Sequence, residues 1–309
     1  MMMYGISKGI QASARPMPKM VQRGLASAAG GSGFEDDRIP RMMSGPQREM
    51  IKKATLDASA FGANQKSMAD RIFYAVPAQS ESEIRSDLKT AHRLVAHYGW
   101  DDLTWNHISS RCGGEEDEED CCDLDSSTYL ITPGGMHFSE VREYDFVFDS
   151  IQESGNVIHS GIYAARPDVR CIIHIHTPAI MAMSCIEEPF RFLVQDAAIF
   201  YNRIGYHMYE GMHSTDEEKE SIARNLGKDG IALIMQNHGA TIVGRSIQEA
   251  FVRTYYLDRC CRVQLDAMAT GSKLIECSPD LLQHAQQQME TIIPSGRYEW
   301  SALKRLVDR

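Results

Sequence analysis

The sequence predicts an α/β fold with one central sheet covered by helices, and three observations carry that prediction. Short β-branched runs alternate with longer stretches at helical spacing. Capping boxes open several of the helical stretches. Apolar residues are 43% of a 309-residue chain and charged residues 24%, enough to bury a sizeable core. Ser80 with Glu83 forms the first capping box, and Ile84, Leu88, Ala91, Leu94 and Val95 recur at helical spacing before Gly99. Thr104 to Arg111 reads as a strand. Residues 113–127 read as a loop whose acidic run, Glu115 to Asp120, is a solvated insertion. Tyr129 to Thr132 is a short strand stopped by Pro133, Gly134 and Gly135, and Tyr144 to Phe148 is another. A helix over Val157 to Arg166 ends before Pro167. Cys171 to His176 is a β-branched strand. Thr215 with Glu218 opens a helix over 216–226 that Gly227 closes. Ile231 to Met235 and Ala240 to Val243 are strands on either side of Asn237, His238 and Gly239. Ser246 with Glu249 opens a long helix to the region of Met268.

Composition narrows the function. The net charge is −10, which argues against a general nucleic-acid binder, whose footprint would be a basic face. No apolar run reaches about 18 residues, so no transmembrane helix is expected. The eight cysteines contain no C-x-x-C pair and read as reduced thiols, several of them in the core. Residues 1–34 carry Lys8, Arg15, Lys19 and Arg23 and no acid, the pattern of a mitochondrial transit peptide; the alternative is a disordered tail of a cytoplasmic protein. Residues 35–77 read as a linker, and residues 78–309 as one domain with a C-terminal extension.

Two histidines carry the chemistry. On a strand, residues two apart share a face, so His174 and His176 present their imidazoles side by side. Two buried histidines on one face need two separate partners if they are structural, whereas one metal ion satisfies both. His238 follows another apolar strand, beside a glycine that permits a tight turn. Three neutral imidazoles with one open position suit Zn²⁺, with Mn, Co or Fe as other candidates.

Several motifs then occur in a telling order. They are Gly99 and Trp100 with Asn106 to Arg111, Leu130 to Gly135, Ile158 to Asp168, His174 to Thr177, and Asn237 to Gly239 with Val243 to Ser246; Glu299 to Arg309 adds a tail. Over residues 82–309 the chain resembles the class II aldolase/adducin family, closest to its adducin-like members that are not sugar-phosphate aldolases. The resemblance implies a three-layer α/β/α domain with one central sheet, a homo-oligomer (commonly a C4 tetramer), and a divalent metal held by His174, His176 and His238. It places Asn106 or His107 where aldolases bind phosphate or substrate. Thr132, Gly134 and Gly135 fall on a second phosphate-contacting loop.

The departures matter equally. Sugar-phosphate aldolases carry a catalytic glutamate where this chain has Gly155, and the segment from Phe148 to Gly155 is short for the family. His159 lies one helical turn after Gly155 and is the first candidate acid/base, with Glu153 and His207 as others. The expected function is a divalent-metal-dependent lyase that performs aldol cleavage or decarboxylation of a small oxygenated substrate. The alternatives are a non-catalytic assembly module, as adducin heads provide in the membrane skeleton, and a metal-dependent epimerase or dehydratase.

Overall fold

The computed structural model describes residues 79–112, 128–150, 156–211, 215–292 and 296–308. The expected leader and linker, the acidic run, Glu153 and Gly155 lie outside the described residues. In chain order the elements are α1 (Glu81–His97), β1 (His107–Arg111), β2 (Thr128–Ile131), β3 (Val147–Ser150), α2 (Val157–Ala165), β4 (Cys171–Ile175) and α3 (Pro178–Ser184). A 3-10 turn (Gln195–Phe200) leads to β5 (Ile204–His207), α4 (Asp216–Leu226), β6 (Ala232–Met235), β7 (Gly239–Gly244), α5 (Ile247–Ala269), α6 (Pro279–Ile292) and α7 (Arg297–Val307).

The seven strands form one mixed sheet in the order β3-β2-β1-β4-β7-β6-β5. Only β5 and β6 run parallel, and α4 supplies the crossover between them. Central strand β4 is buried along its whole length because helices cover both faces, which is why its sequence is nearly continuous in isoleucine. Ile173, Ile175 and Ile242 point to the face carrying α1, α3 and α5, while Ile172, Leu233 and Val243 point to α2 and α4. The three-layer α/β/α architecture is therefore the one expected. No helix among the described residues is long and apolar enough to cross a membrane.

Local chemistry sets the ends. The Ser80 capping box is formed, with the Ser80 side chain accepting from the Glu83 N–H and the Glu83 carboxylate accepting from the Ser80 N–H. Thr215 and Ser246 cap α4 and α5 as expected. β1 begins at His107 rather than Thr104, because Leu103 is left-handed (φ 47°) and the Trp105 N–H turns back to the Asp102 carbonyl. β3 begins at Val147 rather than Tyr144, because a turn from Arg142 to Asp145 comes first.

The C-terminal tail is tied down by one buried carboxylate. Asp87, 3% exposed, accepts from Gln248 Nε2 (2.6 Å) and Trp300 Nε1 (3.0 Å) and pairs with Lys304 (2.5 Å). One side chain thus holds α1, α5 and α7 together. The described cysteines are free thiols, and burial pushes the Cys260 thiol up to about 12, as befits an inert core residue.

His92 makes acid stability a testable property of this fold. It is fully buried between Phe138 and Phe146, its Nδ1–H donates to the Leu88 carbonyl (2.7 Å), and its Nε2 accepts from Thr132 (2.8 Å). Burial pushes it down from 6.5 to about 4 despite the Leu88 hydrogen bond. The unfolded chain therefore binds a proton between pH 6.5 and 4 that the folded chain refuses, so stability is lost as pH falls through that window. The contribution is about 3 kcal/mol when complete. Melting curves of chelator-treated protein from pH 7.5 to 4.5 should fall more steeply for wild type than for His92→Phe, which cannot titrate. Parallel curves would contradict this account of His92.

Candidate metal centre

The register of the sheet assembles the site. His107, His174 and Thr241 are successive cross-strand neighbours on β1, β4 and β7, so their side chains form one row on the α2/α4 face. His176 leaves the end of β4, and His238 enters from the turn between β6 and β7. That turn places Asn237 in the left-handed region (φ 56°) and anchors the His238 N–H on Met235 O and Ser184 Oγ. Gly239 is obligatory there. A Cβ would lie 2.6 Å from both the His176 ring and the Ile175 carbonyl, too close for any side chain.

His174 Nε2 lies 2.9 Å from His176 Nε2 and 3.3 Å from His238 Nε2, and ligand atoms of all three lie within 4.8 Å of one another. Their other nitrogens settle which protons they carry. The Nδ1–H of His176 donates to the Asp102 carboxylate (2.9 Å). Thr241 gives its own proton to Met235 sulfur, so it accepts from the Nδ1–H of His174 (3.0 Å). Both Nε2 atoms therefore present lone pairs, and two lone pairs 2.9 Å apart repel unless a cation lies between them. Burial, reinforced by neighbouring imidazoles, holds His174 well below its usual range and pushes His238 down to about 4. These rings are neutral at pH 7, the form that ligates. The donor set fits a divalent ion, and a carboxylate and a hydroxyl orient two of the ligands as metal-site histidines require.

The remaining candidates divide by position. The His107 ring stacks on His174 (4.7 Å, 20°). His159 is fully buried behind it, with Nε2 2.6 Å from His107 Nδ1 and Nδ1 bonded to Ser109 Oγ (2.5 Å), which in turn meets the Tyr163 hydroxyl (2.8 Å). Burial pushes His107 down to about 3 and holds His159 well below its usual range. His159 thus has no direct contact with the triad. Asn106 is committed to structure: its carbonyl accepts from the His176 N–H (3.1 Å) and its amide donates to the Trp100 carbonyl (2.8 Å). The Thr132 hydroxyl is held by the Ile108 N–H and His92. Gly134 and Gly135 form an exposed turn at the same end of the sheet. His207 ends β5 at this end too, its ring fixed by Asn225 (3.0 Å) and its pKa lowered by burial against the opposing pull of Glu210.

Sequence reading missed Asp102, Ser109, Tyr163 and Thr241. Ser109 was within reach, being two residues after His107 on a strand. Asp102 and Thr241 carried no local signal; only tertiary pairing brings them to the imidazoles.

Comparison with known proteins agrees with this construction. Residues 86–265 match the class II aldolase and adducin N-terminal domain family. A protein of Pseudomonas aeruginosa named as a class 2 aldolase is 34% identical over 247 residues, covering 74% of this chain and 91% of its own length. Rat alpha-adducin is 34% identical over 210 residues, covering 62% of this chain but 27% of the adducin, so the match spans about a quarter of that relative. Among solved structures, an aldolase II superfamily protein of Pseudomonas syringae is 28% identical with a TM-score of 0.66, covering 76% of this chain and 95% of the other. L-fuculose 1-phosphate aldolase of Glaciozyma antarctica shares the fold at 23% identity and a TM-score of 0.62, covering 74% and 89%. From the sheet order, the histidine cluster and these likenesses together, the chain belongs to the class II aldolase and adducin family.

Proposed function

We propose that the protein is a divalent-metal-dependent lyase that cleaves a carbon–carbon bond, by aldol cleavage or decarboxylation, in a small oxygenated substrate. The observation that carries this reading is the convergence of three Nε2 atoms, two of them on rings whose tautomers are fixed from behind. An ion bound by His174, His176 and His238, with Zn²⁺ the first choice, supplies a Lewis acid for the substrate oxygen on which negative charge develops. His107 stands beside that position and holds or moves the proton. The chain from Tyr163 through Ser109 and His159 to His107 has two neutral states. In one, each group donates toward the triad and His107 offers an Nε2–H; in the other, every donor is reversed and His107 offers a lone pair. Either state avoids a buried charge, which burial makes costly here. In this reading His159 acts through His107, and His207 with the Gly134 to Gly135 turn borders the substrate.

Exposed apolar side chains at the rim support a homo-oligomer. Leu103 (66% exposed) and Trp105 (59%) follow Asp102, while Met208 (63%) and Tyr209 (53%) follow His207. A second reading, a non-catalytic assembly module, is favoured by the adducin likeness. The test is turnover of phosphorylated and carboxylated hydroxy and keto compounds by zinc-loaded and chelated protein. Metal-dependent carbon–carbon cleavage of one compound class is expected. Inertness toward the whole panel in the metal-loaded form favours the assembly module.

A further inference from the structure

His176 and His174 are held from behind in different ways. His176 donates its Nδ1–H to the Asp102 carboxylate, and an ionised carboxylate only accepts. His174 lies inside the sheet and meets no carboxylate among the described residues. Its Nδ1 faces the Thr241 hydroxyl (3.0 Å), a group that can either accept or donate. A hydroxyl carries one proton, and where that proton goes decides which nitrogen of His174 has a free lone pair.

Two arrangements are open. If Thr241 donates to His174 Nδ1, the imidazole proton sits on Nε2, and no lone pair is left there for an ion. If Thr241 accepts from the Nδ1–H instead, Nε2 is free, but the hydroxyl proton then needs another acceptor in a fully buried place. Met235 supplies one. Its Sδ lies 3.4 Å from Thr241 Oγ1, and the hydroxyl has no third partner among the described residues. Strand pairing produces this contact. Leu233 stands opposite Thr241, so Met235, two residues further along β6, is a diagonal neighbour on the same face. The unbranched methionine reaches across that diagonal. Of the four side chains of β6 (Ala232, Leu233, Ile234 and Met235), only Met235 carries an acceptor.

We propose that Met235 is a positioning residue of the metal centre: its sulfur takes the Thr241 hydroxyl proton and so keeps the His174 proton on Nδ1, with Nε2 open to a divalent ion. With an aliphatic side chain at this place, the ligating arrangement would leave a buried hydroxyl proton without an acceptor. The inference rests on the metal centre proposed above and on none of the reaction chemistry. Met235 acts through Thr241 and His174 and is not itself a ligand.

Zinc affinity of the full chain, measured by competition with a chromophoric chelator, tests it in a double-mutant cycle. Met235→Leu keeps the side-chain volume and removes the acceptor. It is expected to weaken zinc binding about three- to tenfold, the size of one net hydrogen bond. In a Thr241→Val background no hydroxyl proton needs an acceptor, so the same change is expected to cause no further loss. A packing role for Met235 would give the same loss in both backgrounds. That result, or equal affinity in wild type and Met235→Leu, would overturn the proposal. Met235→Ile takes the place of Met235→Leu if the leucine variant does not fold. A folded wild type that binds no zinc would overturn the metal centre itself, and this inference with it.

Discussion

His176→Ala is expected to lose stoichiometric metal binding while the protein stays folded. The side chain supplies one of three ligand nitrogens, and removing it leaves two, too few to hold an ion in an otherwise water-accessible site. The fold tolerates the change because Asp102, its partner, is 42% exposed and rehydrates. Asp102→Ala keeps all three ligands and removes only the group that orients His176, so it should weaken metal affinity by about 10–100-fold, the usual cost of a lost outer-shell carboxylate. Competition against a chromophoric chelator ranks wild type, Asp102→Ala and His176→Ala in that order. Equal affinity in wild type and His176→Ala would remove the metal site from the account.

His159→Asn is expected to cut turnover of the cleaved substrate by roughly 10²-fold, the scale of one acid/base group, with metal content unchanged. The asparagine cannot reach both His107 and Ser109, so His107 loses the partner that fixes its proton. The loss should fall on kcat with little change in KM, because His159 is fully buried and touches no substrate. A purely structural His159 would give the opposite pattern, a lower Tm with undiminished kcat. That result would move the proton-transfer role to His207 or Glu153.

The histidine cluster was partly legible in the sequence because strand periodicity alone puts His174 and His176 on one face. The helix caps at Ser80, Thr215 and Ser246 were legible because capping chemistry is local. β5 was not, since its sequence, Ile204 to His207, lacks a β-branched run. Gly205 sits there because a Cβ would lie 2.1 Å from the Asn225 carbonyl of α4, a constraint visible only once the helix is packed. The same limit explains His159. Helical spacing from Gly155 suggested a direct role at the site, but cross-strand register puts His107 between it and the triad. Thr132 is placed on a substrate-contacting loop by the family resemblance alone, and the structure adds that its hydroxyl is held by the Ile108 N–H and His92. Asp87 gave no sign of its role, because Gln248 and Trp300, the partners that tie it to two other helices, lie more than 150 residues away in sequence.

The most direct test of the central claim is anomalous scattering from crystals of the protein incubated with zinc at neutral pH, with data collected on either side of the metal absorption edge. One strong peak per chain is expected, bonded to the Nε2 atoms of His174, His176 and His238 at about 2.0–2.1 Å. An empty position among those three nitrogens after incubation, or a peak held by other residues instead, would contradict it.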